Sequence, residues 1–415
     1  MTSATAPDGS NREPDREAPQ SGRAGPLSHI RVLDLTRIMA GPWSTQILAD
    51  MGADVIKIER DGVGDDTRRW GPPYVKTPAG EETRESGYYL CVNRGKRSVA
   101  ADLSSAAGQE LIRALAATAD IVVENFKVGD LARYGLAYDD LRAINPSLIY
   151  CSITGFGQTG PMREQPAYDF MIQAMGGLMS VTGEPDDAPG GGPQKVGVPI
   201  VDLMTGMYAT VAILGALAHR AETGKGNYID ISMLDVQVGF LANQAMNYLV
   251  SGKVPVRTGN SHPNIQPQNV YPCADGYIAL VVGNDNQFER LCKIIERQDL
   301  TNDPRFSSNT LRVENVATLT ALVGEALSTR NRADWFPLFE AAGLPSAPIN
   351  TIPQVLEHEQ VVHRGMVKTL RHPSGSEVTL VGTPLRFSET PLSPPVMPPM
   401  LGEHTSAVRS EVGLE

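Results

Sequence analysis

Hydrophobic positions come in short runs through the first 155 residues, and polar stretches with helical periodicity separate them. His29 to Thr36 (HIRVLDLT) has the composition of a buried strand. The turn RIMAGPW follows, and Pro42 suits the first position of a helix that continues through Ser44 to Met51. Asp54 to Arg60 (DVIKIER) predicts a second strand. Strand, glycine turn, helix and strand in that order describe a doubly wound βαβ unit. After a polar excursion over 61–88, the alternation resumes. Strands are predicted at Ser98 to Leu103, Ile121 to Phe126 and Ser147 to Thr154, with helical segments at Ser104 to Thr118 and Gly129 to Tyr134. Such alternation predicts a parallel sheet with helices on both faces.

The stretch Lys195 to His219 differs from all of these. A glycine- and proline-rich loop (184–194) leads into the apolar run Val196 to Val201, which stops at a single acid, Asp202. Met204, Met207, Tyr208, Val211, Leu214 and Leu217 then repeat at helical spacing. An acid at this junction has two readings. It is a helix N-cap, the commoner use of Asp there, or it is a carboxylate nucleophile kept ionised by the helix terminus. The apolar run Leu203 to Ala218 is slightly short for a membrane span, so a buried core helix is expected and no membrane partner.

Beyond His219 the pattern predicts a strand at Tyr228 to Met233, a helix near Asp235 to Leu249, an exposed loop over Ser251 to Gln268 and a strand at Tyr277 to Val282. Helices are expected over 286–297 and 314–342. The fold class expected is α/β: a doubly wound parallel-sheet large domain plus a smaller α+β domain, with the chain returning to the large domain at its C-terminus. The boundaries read as a disordered tail at 1–25, a large domain at 26–224, a small domain at 225–344 and a return segment at 345–415.

Composition narrows the function. The chain has 415 residues, 41% of them hydrophobic, and a net charge of −11 from 47 acids and 36 bases, so a nucleic-acid footprint is not expected. The tail holds no apolar signal segment. Cys91, Cys151, Cys273 and Cys292 are isolated from one another, which suits a reducing cytoplasm and signals no zinc or dithiol site. His358 to His363 (HEQVVH) misses the zinc-protease spacing by one residue, placing the second imidazole about 140° further round a helix. Gly155 to Gly160 (GFGQTG) matches a dinucleotide fingerprint only weakly, because Pro161 follows where a helix should open. Asn93 to Ser98 (NRGKRS), with Lys57, Arg60, Arg68 and Arg69, is basic. It reads either as solvated surface or as a phosphate clamp.

Taken in order, AGPWSTQILADMGADVIKIER (40–60), NRGKRSVAADL (93–103), VVENFKVGDLARYGL (122–136), SLIYCSITGFGQTGP (147–161), PAYDFMIQAMGGLMSVTG (166–183) and VGVPIVDLMTGMYA (196–209) resemble the class III CoA-transferase family, of the formyl-CoA and carnitine CoA-transferase type. The resemblance spans roughly residues 26–408. It implies an aspartate nucleophile at Asp202. It implies CoA contacts at Met39, Ala40, Arg60, Ala101, Asp102, Leu103, Asn125, Phe126, Arg133, Ile153, Thr154, Gly155 and Phe156. Coenzyme A thioesters would be substrates, with no permanently bound cofactor and no metal, and the chain would form an interlocked homodimer.

The family's mobile glycine loop would fall near Gly259 to His262, but this sequence is TGNSHP, with one glycine where some members have several. Ser104 stands where some members carry a basic residue. Related 2-methylacyl-CoA racemases have His before an Asp at the position of Tyr168-Asp169; Tyr168 therefore favours the transferase, and Asp169 reads as structural. The sequence looks most like members using succinyl-CoA and a dicarboxylic acceptor, with Arg257 or His262 as candidates for a second carboxylate. A racemase and a catalytically silent CoA-binding protein are the alternatives.

Overall fold

The computed structural model describes residues 22–415. Most of the predicted tail (1–21) lies outside the described residues. Its last residues are part of the fold: Ala24 N–H donates to Ser393 Oγ (2.7 Å), and Ser393 N–H donates to Ala24 C=O (3.2 Å).

The chain divides into two compact units. The first comprises the residues up to Ile172, Pro199–Gln237 and Gly365–Glu415; the second comprises Gln173–Val198 and Val238–Arg364. At the heart of the first is a six-stranded sheet. Its strands are β1 (Arg31–Asp34), β2 (Asp54–Glu59), β3 (Arg97–Ala100), β4 (Ile121–Glu124), β5 (Ile149–Thr154) and β6 (Asn227–Ser232). They are all parallel, in the order β3-β2-β1-β4-β5-β6. The order reverses between β1 and β4, and the crevice outside the strand C-termini at such a reversal is where doubly wound sheets bind ligands. Buried aliphatic side chains cover both faces. Leu33, Ile56, Val99 and Val122 face α2 (Ala106–Thr118), while Val32, Val55, Ile121 and Ile149 face α1 (Ala40–Asp50) and α3 (Ile200–Thr223).

Several boundaries differ from the sequence reading. The strand expected to open the small domain is β6, the sheet's edge, hydrogen-bonded to β5 along its whole length. Residues 346–348, read as the return to the large domain, instead pair with Gly276–Val281 in the second unit's three-stranded antiparallel sheet; the return comes at Gly365. The second unit gathers helices around Trp335, Phe339 and Phe306. Pro42 is the third helical residue of α1, still among the four whose N–H groups have no helical partner.

Helix α3 has 24 residues, long and apolar enough to cross a membrane by length and composition. Here it packs on α1 and the sheet, burying Val201, Thr205, Gly206, Ala209, Thr210, Ile213 and Ala216. Gly206 permits that approach: a Cβ there would lie 2.6 Å from Ala40 C=O and 2.9 Å from Trp43 Cδ1.

Candidate active site

Asp202 is not the cap of α3. The helix starts at Ile200 with Pro199 at the cap position, which puts Asp202 in the first turn, with its own carboxyl left over. The capping is done from outside. Asp169 Oδ1 accepts from the N–H groups of Val201 (2.7 Å) and Asp202 (3.2 Å), satisfying two of the free donors of the first turn. Two acids therefore meet at one helix terminus. Burial first, and then the negative charge of Asp169, push the Asp202 carboxyl from 3.8 up to about 7. These effects outweigh the expected help of the helix terminus in keeping it ionised. Tyr88 lies in the same neighbourhood and forms an edge-on pair with Trp70 (5.1 Å between ring centroids). Burial, then the charges of Asp202, Cys91 and Asp169, push its phenol up to about 12, so it remains a hydrogen-bond donor at neutral pH.

A separate cavity of about 220 Å³ opens at the sheet's reversal point. The residues after β1 (Leu35, Thr36, Arg37), Arg60 after β2, Ala101 to Ser104 after β3, and Phe126 after β4 line it. Of the residues implicated by resemblance, the cavity brings together Arg60, Ala101, Asp102, Leu103 and Phe126. Phe126 also packs against the core, as Leu103 and Tyr134 do. Asn125 holds the wall: its Nδ2 donates to Arg37 C=O (2.8 Å), and its Oδ1 accepts from Arg37 N–H (3.0 Å). Met39, Ala40, Arg133 and the run Ile153 to Phe156 are not among the lining residues. Met39 and Ala40 are buried at the start of α1, and Arg133 is exposed and paired with Asp130 (2.7 Å).

The cations of Asn93 to Ser98 turn inward and are paired with acids. Arg94 pairs with Asp50 (2.5 Å), Lys96 with Asp34 (3.0 Å) and Arg97 with Asp54 (2.7 Å). Lys57 is buried against Asp65 (2.9 Å), and Arg68 bridges Glu59 (2.8 Å) and Glu85 (2.7 Å). Of these, Lys57, Glu59 and Asp65 line the cavity. Burial opposes the charge on Asp34, but Lys96 and Lys57 hold its carboxyl down to about 2.

One buried acid escaped the sequence reading. Glu124, at the end of β4, accepts from Ser152 and from Phe126 N–H (2.8 Å), and burial pushes it up to about 7. Like Asp202, it is a lone acid closing an apolar run, and that is the signal that would have found it.

The GFGQTG turn opens no helix; Gln158 N–H donates to Asp230 (3.0 Å). In the second unit Arg257 pairs with Asp186, and His262 Nδ1 accepts from Asn264 and Ile265 N–H (3.1 Å each). His358 caps a five-residue helix ending at His363. Among the described residues no group of three or more His, Cys, Asp or Glu side chains is arranged to hold a metal ion. A second cavity of about 900 Å³ in the first unit has a mainly apolar lining, including Trp43, Met207 and Leu380, and contains neither Asp202 nor Asp169.

Comparison with known proteins agrees with this architecture. A succinate–glutarate CoA-transferase of Agrobacterium fabrum is 48% identical over 390 residues, covering 94% of this chain and 96% of its own length. The human succinyl-CoA:glutarate CoA-transferase is 42% identical, covering 93% of this chain and 86% of the human one. Among solved structures, a CAIB/BAIF family protein from Brucella suis is 48% identical and superposes with a TM-score of 0.82 over 94% of this chain and all of that one. The family model for CoA-transferase family III matches residues 27–405. With nearly the whole chain covered, the protein belongs to CoA-transferase family III and is an enzyme that transfers CoA.

Proposed function

We propose that this enzyme moves CoA from succinyl-CoA to a dicarboxylic acid of the glutarate class, with Asp202 as the nucleophile. One observation carries the choice of residue. Asp202 sits in a helix first turn whose capping is done by Asp169, so its own carboxyl is left for chemistry and raised to about 7. A carboxylate of that basicity is a better nucleophile than an exposed one, yet is half ionised at neutral pH. The substrate class is supported by the names of the Agrobacterium, mouse and human relatives.

In the first step an Asp202 oxygen attacks the thioester carbonyl. The C–S bond breaks and CoA leaves as thiolate, giving a succinyl–aspartyl anhydride. The thiolate then attacks the aspartyl carbonyl, succinate departs, and Asp202 carries CoA as a thioester. The acceptor carboxylate attacks that thioester, releasing thiolate and forming a new anhydride. Attack of the thiolate on the acceptor's carbonyl gives the product and restores Asp202. No proton is consumed overall. Orientation and exclusion of water must supply much of the rate, because carboxylates are weak nucleophiles in water. The cavity at the sheet's reversal point would take the nucleotide end of CoA, against Arg60, Ala101 to Ser104 and Phe126.

A homodimer is part of this proposal. Met207, Tyr208, Val211 and Leu214 leave apolar surface uncovered along α3. A monomer in sedimentation velocity would overturn it.

Incubation with succinyl-CoA and a panel of carboxylates, with new CoA thioesters read by mass spectrometry, tests the function. Conversion of a dicarboxylate by the unaltered protein and none by Asp202→Ala is expected. Full activity in that variant would remove Asp202 from the mechanism. No product with any acceptor would refute succinyl-CoA as donor.

A further inference from the structure

Acids buried among the described residues are, with one exception, matched by a cation. Asp34, Asp50, Asp54, Glu59, Asp65, Glu85 and Asp120 each lie within 3.0 Å of a lysine or arginine nitrogen. The exception is Glu124, 5% exposed at the end of β4, where burial is the main influence and no cation is among the groups that act on it. Neutral donors hold its carboxylate: the Ser152 hydroxyl on Oε1 and the Phe126 N–H on Oε2 (2.8 Å). A buried acid without a cation is costly, and an apolar side chain of similar size is often the more stable choice. What Glu124 supplies, and an apolar residue does not, is a pair of acceptors.

The two acceptors face different parts of the fold. Glu124, Ser152 and Asp230 are neighbours in register across β4, β5 and β6. Oε1 reaches sideways to Ser152, whose Oγ in turn accepts from the Tyr228 hydroxyl (3.2 Å). Oε2 reaches forward to a peptide beyond the strand. The carboxylate is thus anchored in the sheet through one oxygen and fixes the outgoing chain through the other. Asn125, between the two, is tied to the Arg37 peptide. Phe126 is therefore pinned at its own N–H, and its side chain lines the cavity at the reversal point.

We propose that Glu124 is a positioning residue for CoA-thioester binding, holding the Phe126 peptide from behind so that the ring keeps its place in the cavity wall. It touches neither substrate nor the reacting atoms. Its contribution is one of shape. Glutamine in its place offers an oxygen to the Phe126 N–H and an amide N–H to Ser152 Oγ, so it meets both needs without charge. Aspartate keeps the charge but is one methylene shorter and does not span both contacts. This inference rests on the reading of the cavity as the CoA site.

Steady-state rates with succinyl-CoA and a dicarboxylate, with calorimetric titration of CoA alongside, test it on Glu124→Leu, Glu124→Asp, Glu124→Gln and Phe126→Ala. Glu124→Leu should raise the KM for succinyl-CoA and the Kd for CoA about tenfold, because the Phe126 N–H loses its acceptor. The kcat should change by less than about twofold, since Asp202 is carried by α3. Glu124→Asp should shift affinity several-fold in the same direction, and it decides the matter if the leucine variant does not fold. Glu124→Gln should recover most of the affinity. Added to Phe126→Ala, Glu124→Asp should cause little further loss, because both act through one ring. Unchanged affinity in Glu124→Asp, a kcat that falls as far as affinity, or a glutamine variant as weak as the leucine one would overturn the proposal. Phe126→Ala that binds CoA as tightly as the unaltered protein would refute the cavity reading itself, whereas a loss there with none in Glu124→Asp refutes the role of Glu124 alone.

Discussion

Replacing Asp169 by Asn separates its two effects on Asp202. Asn keeps a side-chain oxygen to accept the Val201 and Asp202 N–H groups, so the cap of α3 survives. What disappears is the negative charge. The Asp202 carboxyl rises from 3.8 to about 7, with burial the larger cause and Asp169 the smaller. Removing Asp169's charge therefore reverses less than half of that rise, on the order of one pH unit. Asp202 must be ionised to attack, so activity falls as pH drops through its folded value. In Asp169→Asn that acid limb should move to lower pH. At pH 6 a carboxyl near 7 is about one-tenth ionised and one near 6 is half ionised, so activity relative to the plateau should rise about fivefold. The plateau itself should drop modestly, because a less basic carboxylate is a weaker nucleophile. Steady-state rates of thioester formation between pH 5 and 9 provide the assay. A limb that stays in place, or moves upward, would refute the claim that Asp169 tunes Asp202.

Asp202→Asn should stabilise the protein at neutral pH. The folded carboxyl holds its proton between 3.8 and about 7, where the unfolded one has lost it. Stability thus declines as pH rises across that window, and the variant escapes the decline. Discounted for partial exposure, the gain is roughly 1–2 kcal/mol at pH 8, vanishing toward pH 4, and denaturant midpoints at both values read it. Arg68→Ala leaves Glu59 and Glu85 buried without their cation and should cost about 3–5 kcal/mol in the same measurement; a loss below about 1 kcal/mol would show that the network is not structural. Gly206→Ala should cost about 1–3 kcal/mol and reduce activity, since its Cβ meets Ala40 C=O and Trp43. Gly215→Ala on the same helix meets nothing within 4 Å and should be neutral or stabilising, by up to about 1 kcal/mol.

The sheet was legible because its strands are buried on both faces and so read as unbroken apolar runs. Strand β6 was less so. Its side chains alternate in exposure at the sheet's edge, and a polar turn before it looks like a domain boundary. Asp202 stood out locally as an acid ending an apolar run, but its release from capping did not, because the cap comes from 33 residues away. Charge misled in NRGKRS. Arg94, Lys96 and Arg97 look like surface, yet their acidic partners Asp50, Asp34 and Asp54 lie more than 40 residues off and draw them inside. The Arg37–Asn125 clasp, spanning 88 residues, was invisible for the same reason.

The central claim is that Asp202 becomes covalently acylated. Succinyl-CoA added without acceptor, followed by hydroxylamine and peptide mass spectrometry, tests it directly. Hydroxylamine attacks the anhydride or the aspartyl thioester and leaves a hydroxamate on the side chain. The account predicts a hydroxamate at Asp202 that requires succinyl-CoA and is lost when excess CoA and acceptor are added first. Hydroxamate at another acid, or none in a preparation that turns over, would contradict it.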